Sequence, residues 1–296
     1  MITGVMSGIL QGIGRPGHEA MLGNVVNDKE KLPGAVAIDA AAHHWPSEIG
    51  LVLATLFYAA LGTDGVFWIT SIGQTITGFT LLFLKWEPAG EPEARRHSVR
   101  SNFMEGIRYV KNEPVILGLV LLSVVSSIFA GSYGFLLVFF ARDVLDKGAH
   151  GLGMLMILNS LGVSIGSVAV IAMSNFPRRG VMLMLAALGY TFFILAFSLS
   201  EDFLLSLGLV FFMGLFATCS RTMMTMIMQL LAPNEMRGRV MSVRVSLMGL
   251  TWIGTLWMGT LAEYITVPTT VLIGGGLYGA LALILFATRP QLRNFK

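Results

Sequence analysis

Apolar residues along this chain come in long blocks, not in the alternation of a half-buried strand or the single stripe of a surface helix. About twenty mostly apolar residues cross the hydrocarbon of a bilayer as a helix. Nine segments reach that length: 1–23, 36–61, 64–84, 114–140, 150–173, 180–199, 203–231, 240–262 and 268–288. Segments 114–140, 180–199 and 268–288 hold no Asp, Glu, Lys or Arg. Short polar or turn-forming groups separate the blocks, among them Gly62-Thr63-Asp64, Asn175 to Arg179, Ser200 to Asp202 and Thr266 to Pro268. Connections that tight predict antiparallel neighbours. The expected fold class is an all-α membrane protein of about nine transmembrane helices.

Composition agrees, because 54% hydrophobic and 12% charged side chains cannot cover a water-soluble surface. A net charge of +3 is too small to imply nucleic acid, and the placement of the charges says more. Of the 20 Lys and Arg, sixteen fall in alternate connections and the tail: Lys29, Lys31, Lys85, Arg95, Arg96, Arg100, Arg108, Lys111, Arg178, Arg179, Arg237, Arg239, Arg244, Arg289, Arg293 and Lys296. The opposite connections hold two, Arg142 and Lys147, and the remaining two, Arg15 and Arg221, lie inside spans. Cytoplasmic loops retain positive charge. The C-terminus is therefore expected on the cytoplasmic face of a bacterial inner membrane, with Met1 on the other side. The single cysteine, Cys219, excludes an intramolecular disulfide, and the N-terminus has no signal-peptide pattern.

The longest connection, 85–113, carries Pro88, Pro92 and six basic residues, and Asn102 to Lys111 reads as an amphipathic helix on the membrane surface. It divides the chain into a partial N-terminal half of three spans (1–84), a cytoplasmic linker (85–113) and a C-terminal half of six spans with its tail (114–296). Two equal halves would require three further spans ahead of residue 1. A gapless shift of 206 residues sets Arg15 on Arg221 and the loop Asn27 to Lys31 on Pro233 to Arg237, as internal repeats would.

Several stretches carry a family resemblance: Pro16 to Ala20 with Leu22 to Val26 and Ala35 to Asp39; Glu105-Gly106-Ile107-Arg108-Tyr109-Val110 with Pro114; Ala141 to Leu145; and above all Pro233-Asn234-Glu235-Met236-Arg237-Gly238-Arg239-Val240-Met241-Ser242. In these the chain resembles the major facilitator superfamily, in the branch of the enterobactin exporter and the macrolide efflux proteins. By that register the nine spans correspond to helices four to twelve of a twelve-helix carrier. The resemblance implies two six-helix halves around a central cavity, rocking to expel small hydrophobic or siderophore-like molecules with the proton gradient. The chain departs from many relatives in having His18 and Glu19 where they carry Arg and Gln. Ser47, Glu48, Ile49, Gly50 and Leu51 stand where an Arg-x-x-Gly-Pro run is usual.

An ionisable group at mid-bilayer costs about 2.5–3.5 kcal/mol on insertion scales, so each one needs a reason. Glu48 lies twelve residues past Val36, about 18 Å deep, and His44 precedes it by one turn on the same face. Such a pair can exchange a proton as the carrier changes conformation, or Glu48 can hold two helices in register by an ion pair. Arg15 and Glu19, with His18 beside them, form either a local ion pair or a cation facing an anionic substrate. Arg221 has no acid within four residues, so its partner must come from elsewhere. Asn159, Gln74 and Gln229 suit a polar cavity or interhelical hydrogen bonds equally. Arg237-Gly238-Arg239 predicts a tight turn at the glycine and two guanidiniums that either brace the cytoplasmic gate or anchor to headgroups.

Two matches to G-x-G-x-x-G, from Gly12 and from Gly274, lie within spans and open no nucleotide fold. Gly4, Gly8 and Gly12, and likewise Gly162 and Gly166, recur every fourth residue and predict close helix contact. The run Met223 to Met228 reads as packing or as a pliable substrate surface. No metalloprotease, nucleophile-elbow or P-loop pattern occurs, so enzyme activity, a cofactor and a metal site are not expected. The expected partners are the bilayer, protons and a small-molecule substrate, with the chain acting as a monomer. A non-transporting fragment is the alternative function.

Overall fold

The computed structural model describes residues 99–130, 133–173, 178–249 and 251–293, together with scattered positions between Gly34 and Ile76. Regular structure among the described residues is helical throughout. It comprises α1 (Val99–Asn112), α2 (Pro114–Val125), a π-helical turn (Ser126–Ala130), α3 (Tyr133–Phe139) and a second π turn (Phe140–Val144). These are followed by α4 (Gly148–Ala172), α5 (Arg179–Ser198), α6 (Phe203–Leu231), α7 (Asn234–Met248), α8 (Thr251–Tyr264), α9 (Val267–Thr288) and α10 (Pro290–Arg293).

Among the described residues six runs are long and apolar enough to cross a bilayer: Pro114–Val144, Gly148–Ala172, Arg179–Ser198, Phe203–Leu231, Asn234–Tyr264 and Val267–Thr288. They correspond to the last six of the nine expected spans. The first three, 1–23, 36–61 and 64–84, fall largely or wholly outside the described residues. Two boundaries move. The first span runs on to Val144, because buried Ala141 carries the helix past the expected end at 140. The fifth starts at Asn234 and not at 240, because a polar first turn forms directly after Pro233.

Local chemistry sets the ends. Pro114 opens α2, where its missing N–H costs nothing. The Asp202 carboxylate accepts from the Leu205 N–H at 2.7 Å and caps α6. Thr266 does the same for α9, with Thr269 N–H at 3.3 Å. Between the second π turn and α4 the chain reverses through Asp146 (φ 50°) and Gly148 (φ 54°), a left-handed pair that asparagine-like and glycine residues tolerate best.

Helix α6 is the hub, packed by α4 on one side and α5 on the other, with α9 on α5 and α8 against the first π turn. The α4–α6 contact is backbone to backbone. A Cβ on Gly162 would meet the Phe211 carbonyl, one on Gly166 would stand 2.6 Å from the Leu215 carbonyl, and one on Gly214 would meet the Asn159 carbonyl. The four-residue glycine spacing thus marks a true helix contact at Gly162 and Gly166; Gly4, Gly8 and Gly12 lie outside the described residues. Met223, Met224, Met226 and Met228 are buried, so the methionine run is packing. Phe135, Phe192, Trp252, Leu204 and Leu283 point outward, which suits lipid as the surrounding solvent.

Candidate functional site

Arg221 sits on α6, eighteen residues after Phe203 and ten before Leu231, so its Cα lies about 27 Å and 15 Å from the two helix ends. That is well inside the apolar depth. Its neighbours Ser220, Thr222 and Met223 are buried, whereas Arg221 is exposed. The backbone there is stiffened by the Thr225 hydroxyl, which donates to the Arg221 carbonyl at 3.0 Å.

Three phenols lie on three other helices: Tyr133 on α3, Tyr190 on α5 and Tyr278 on α9. Tyr190 and Tyr278 meet edge to face with ring centroids 5.5 Å apart. The Tyr278 hydroxyl pairs with the Ser220 hydroxyl at 2.8 Å, which fixes α9 against α6 one residue before the cation.

Asn159 supplies the remaining polar group. Its amide nitrogen donates to the Val210 carbonyl at 3.3 Å and to the Tyr133 hydroxyl at 2.9 Å. A backbone carbonyl can only accept, so the amide NH₂ must face Val210, and the Tyr133 oxygen is therefore an acceptor in this contact. The phenol proton then has no protein acceptor among the described residues. No carboxylate among them lies within 4 Å of Arg221 either.

A second polar assembly lies at the basic end of the bundle. Arg239 Nη1 meets Glu105 Oε1 at 2.6 Å, joining α1 to α7. Gly106 beside it lets the helices touch, since a Cβ there would stand 2.9 Å from the Arg239 carbonyl oxygen. Arg237 is 2% exposed and donates through Nε to the Gln229 carbonyl at 3.0 Å, tying the start of α7 to the end of α6. Arg244, also buried, donates to the Ser123 hydroxyl at 3.4 Å, and that hydroxyl donates to the Leu119 carbonyl at 2.9 Å.

Of the sequence candidates, Asn159 and Arg221 fall in the first assembly and Arg237 and Arg239 in the second. Gly238 needs a correction: it lies inside α7 and makes no tight turn, because Ala232 and Pro233 take extended backbone angles and turn the chain before the helix starts. Burial of Arg237 likewise removes it as a headgroup anchor. The predicted surface helix Asn102 to Lys111 is present as α1, docked on α7. Glu48, His44, Arg15, Glu19, His18 and Gln74 lie outside the described residues. Sequence reasoning passed over Tyr133, Tyr190 and Tyr278. The available signal was a hydroxyl in the middle of otherwise charge-free spans, where a phenol needs a partner.

Comparison with known proteins places this geometry among relatives. The family model for the Major Facilitator Superfamily matches residues 1–253. The multidrug efflux pump Tap of Mycolicibacterium fortuitum is 26% identical over 205 residues, which cover 67% of this chain and 49% of that protein. The chain thus matches about half of that relative's length. Among solved structures, a variant of the E. coli fucose:proton symporter superposes with a TM-score of 0.69 at 15% identity, over 93% of this chain and 72% of that one. At that identity the likeness is one of fold.

Proposed function

The chain belongs to the Major Facilitator Superfamily, and from that premise we propose that it works as a proton-coupled exporter of small hydrophobic or siderophore-like molecules, by alternating access. The observation that carries the reading is Arg221, exposed although it lies well inside the apolar span of α6. An apolar helix tolerates such a cation where it faces a water-filled, substrate-sized cavity. Family membership argues for transport and not catalysis. Export is supported by the likeness to a multidrug efflux pump.

In this reading the six described spans form one wall of the cavity, and α1 with the start of α7 closes its cytoplasmic end. Glu48 and His44 remain the proposed proton-carrying pair, with Arg15, His18 and Glu19 near the opposite cytoplasmic margin. The C-terminus is proposed to lie on the cytoplasmic side of a bacterial inner membrane, a reading the basic connections support. Loading cells that express the chain with ethidium and following its loss tests the proposal. Efflux that stops on adding a protonophore, and is absent from the Glu48→Gln variant, is the expected result. Efflux indifferent to the protonophore would remove proton coupling, and no efflux beyond that of empty cells would remove the exporter reading.

A further inference from the structure

We propose that the outer face of α1, carried by Met104, Arg108 and Lys111, is a docking surface for the headgroups of anionic phospholipid. The proposal goes beyond the exporter reading and needs only that the chain sits in a bilayer.

Helix α1 has two unlike faces. Gly106 and Val110 are buried, and Phe103, Ile107 and Tyr109 are half-buried against the core. Met104, Arg108 and Lys111 recur at i, i+4 and i+7, so they share the opposite face, and all three are exposed. Met104, at 57%, is among the exposed large apolar side chains. Of the acids nearby, Glu105 is held by Arg239, and Glu113 lies beyond the last turn of α1. The stripe is thus two cations with a thioether beside them.

Packing sets the depth of this face at both ends. A Cβ on Gly106 would stand 2.9 Å from the Arg239 carbonyl oxygen and 3.1 Å from the Val243 side chain. Those residues follow Asn234, where a bilayer-crossing run begins, by about 7.5 and 13.5 Å along the helix axis. Helix α1 therefore rests beside the polar first turns of α7 and not below them. At its other end α1 finishes at Asn112, and Pro114 opens another crossing run, so the Lys111 backbone is within about 11 Å of that run. The whole helix lies at headgroup level. There a phosphodiester meets the guanidinium of Arg108 and the ammonium of Lys111, and the upper acyl chain receives Met104. A small soluble anion would match the cations alone and leave the thioether in water.

One label on the face makes the test. Met104→Cys in a Cys219→Ala chain carries a bimane, and the full chain is set in nanodiscs of equal phosphatidylglycerol and phosphatidylcholine, with one or the other lipid brominated near its headgroup. Quenching should show a preference for phosphatidylglycerol of at least about fivefold, the scale of one cation at an anionic surface. Arg108→Gln with Lys111→Gln should bring the two lipids to parity. Arg142→Gln with Lys147→Gln, the same change in charge at another exposed helix end, should keep the preference. A single monodisperse peak on size exclusion reports that each variant is folded. Three outcomes would overturn the proposal: equal quenching in the parent, a preference that survives loss of Arg108 and Lys111, or a label shielded from water yet quenched by neither lipid, as a protein segment covering the face would leave it. Since headgroup contact is read without transport, failure to expel ethidium bears on the exporter reading alone.

Discussion

Glu105 Oε1 lies 2.6 Å from Arg239 Nη1, and at the next residue, Gly106, the backbone of α1 comes so close to α7 that a Cβ would stand 2.9 Å from the Arg239 carbonyl. The two facts are linked, since the ion pair has its geometry only if the helices touch at the glycine. Gly106→Ala separates docking from intrinsic helix stability. In an undocked helix the change is favourable by about 1 kcal/mol; here it should instead lower the thermal midpoint of the detergent-solubilised protein and speed proteolysis within 85–113. A raised midpoint would mean that α1 does not rest on α7.

The ion pair itself should contribute little. Its side chains are 48% and 22% exposed for Glu105 and Arg239, so a double-mutant cycle with Glu105→Gln and Arg239→Gln should give a coupling of about 0.2–1 kcal/mol. Raising salt should shrink it further. A coupling that stayed constant from low to high salt would show that water does not reach the pair.

Packing between α4 and α6 allows a sharper contrast. Gly162 faces the Phe211 carbonyl, whereas Gly153, on the same helix, has nothing within 4 Å of where a Cβ would sit. Gly162→Ala should destabilise by about 1–3 kcal/mol, since the helices must move apart to admit the methyl. Gly153→Ala should leave the midpoint unchanged or raise it. Equal effects of the two would place the helices farther apart than described.

The last six spans, their order and the α4 glycines were legible because each is a property of one segment: bilayer thickness sets a length, and Gly162 and Gly166 sit one turn apart on a single helix. The candidate site was legible only in part. Arg221 and Asn159 stood out as polar residues in apolar runs. Tyr133, Tyr190 and Tyr278 lie on three different helices, and nothing within any one of those helices records that the others face it. Gly238 was misread because glycine suggests a turn wherever it stands, whereas Pro233 five residues earlier had already set the chain's direction. Gly214, the partner of the α4 glycines, has no second glycine one turn away to mark it.

Arg237 and Arg142, at opposite ends of the bundle, test whether a basic residue there acts by its charge or by its hydrogen bonds. Arg237 is buried and bonded to the Gln229 carbonyl, whereas the Arg142 side chain is 65% exposed and pairs with its neighbour Asp143. Arg237→Gln should cost on the order of 1.5–3 kcal/mol, as expected when a charged donor to a buried carbonyl is lost. Arg142→Gln should produce no measurable change in thermal midpoint. Loss of equal size in both would point to net charge as the cause.

Ser220 and Tyr278 offer the last contrast, between losing one partner of a buried hydroxyl pair and losing both. Their hydroxyls are 2.8 Å apart and buried, and they join α6 to α9 beside Arg221. Interhelical hydrogen bonds in membranes average about 0.6 kcal/mol in double-mutant cycles, because the unfolded helices also find partners in the bilayer. Ser220→Ala with Tyr278→Phe should give a coupling near that value, measured by chemical unfolding in mixed micelles. Removing both hydroxyls should cost less than removing the Tyr278 hydroxyl alone, since the single change strands the Ser220 hydroxyl in a dry contact. A double variant that costs as much as the two single changes added together would show that the hydroxyls do not interact.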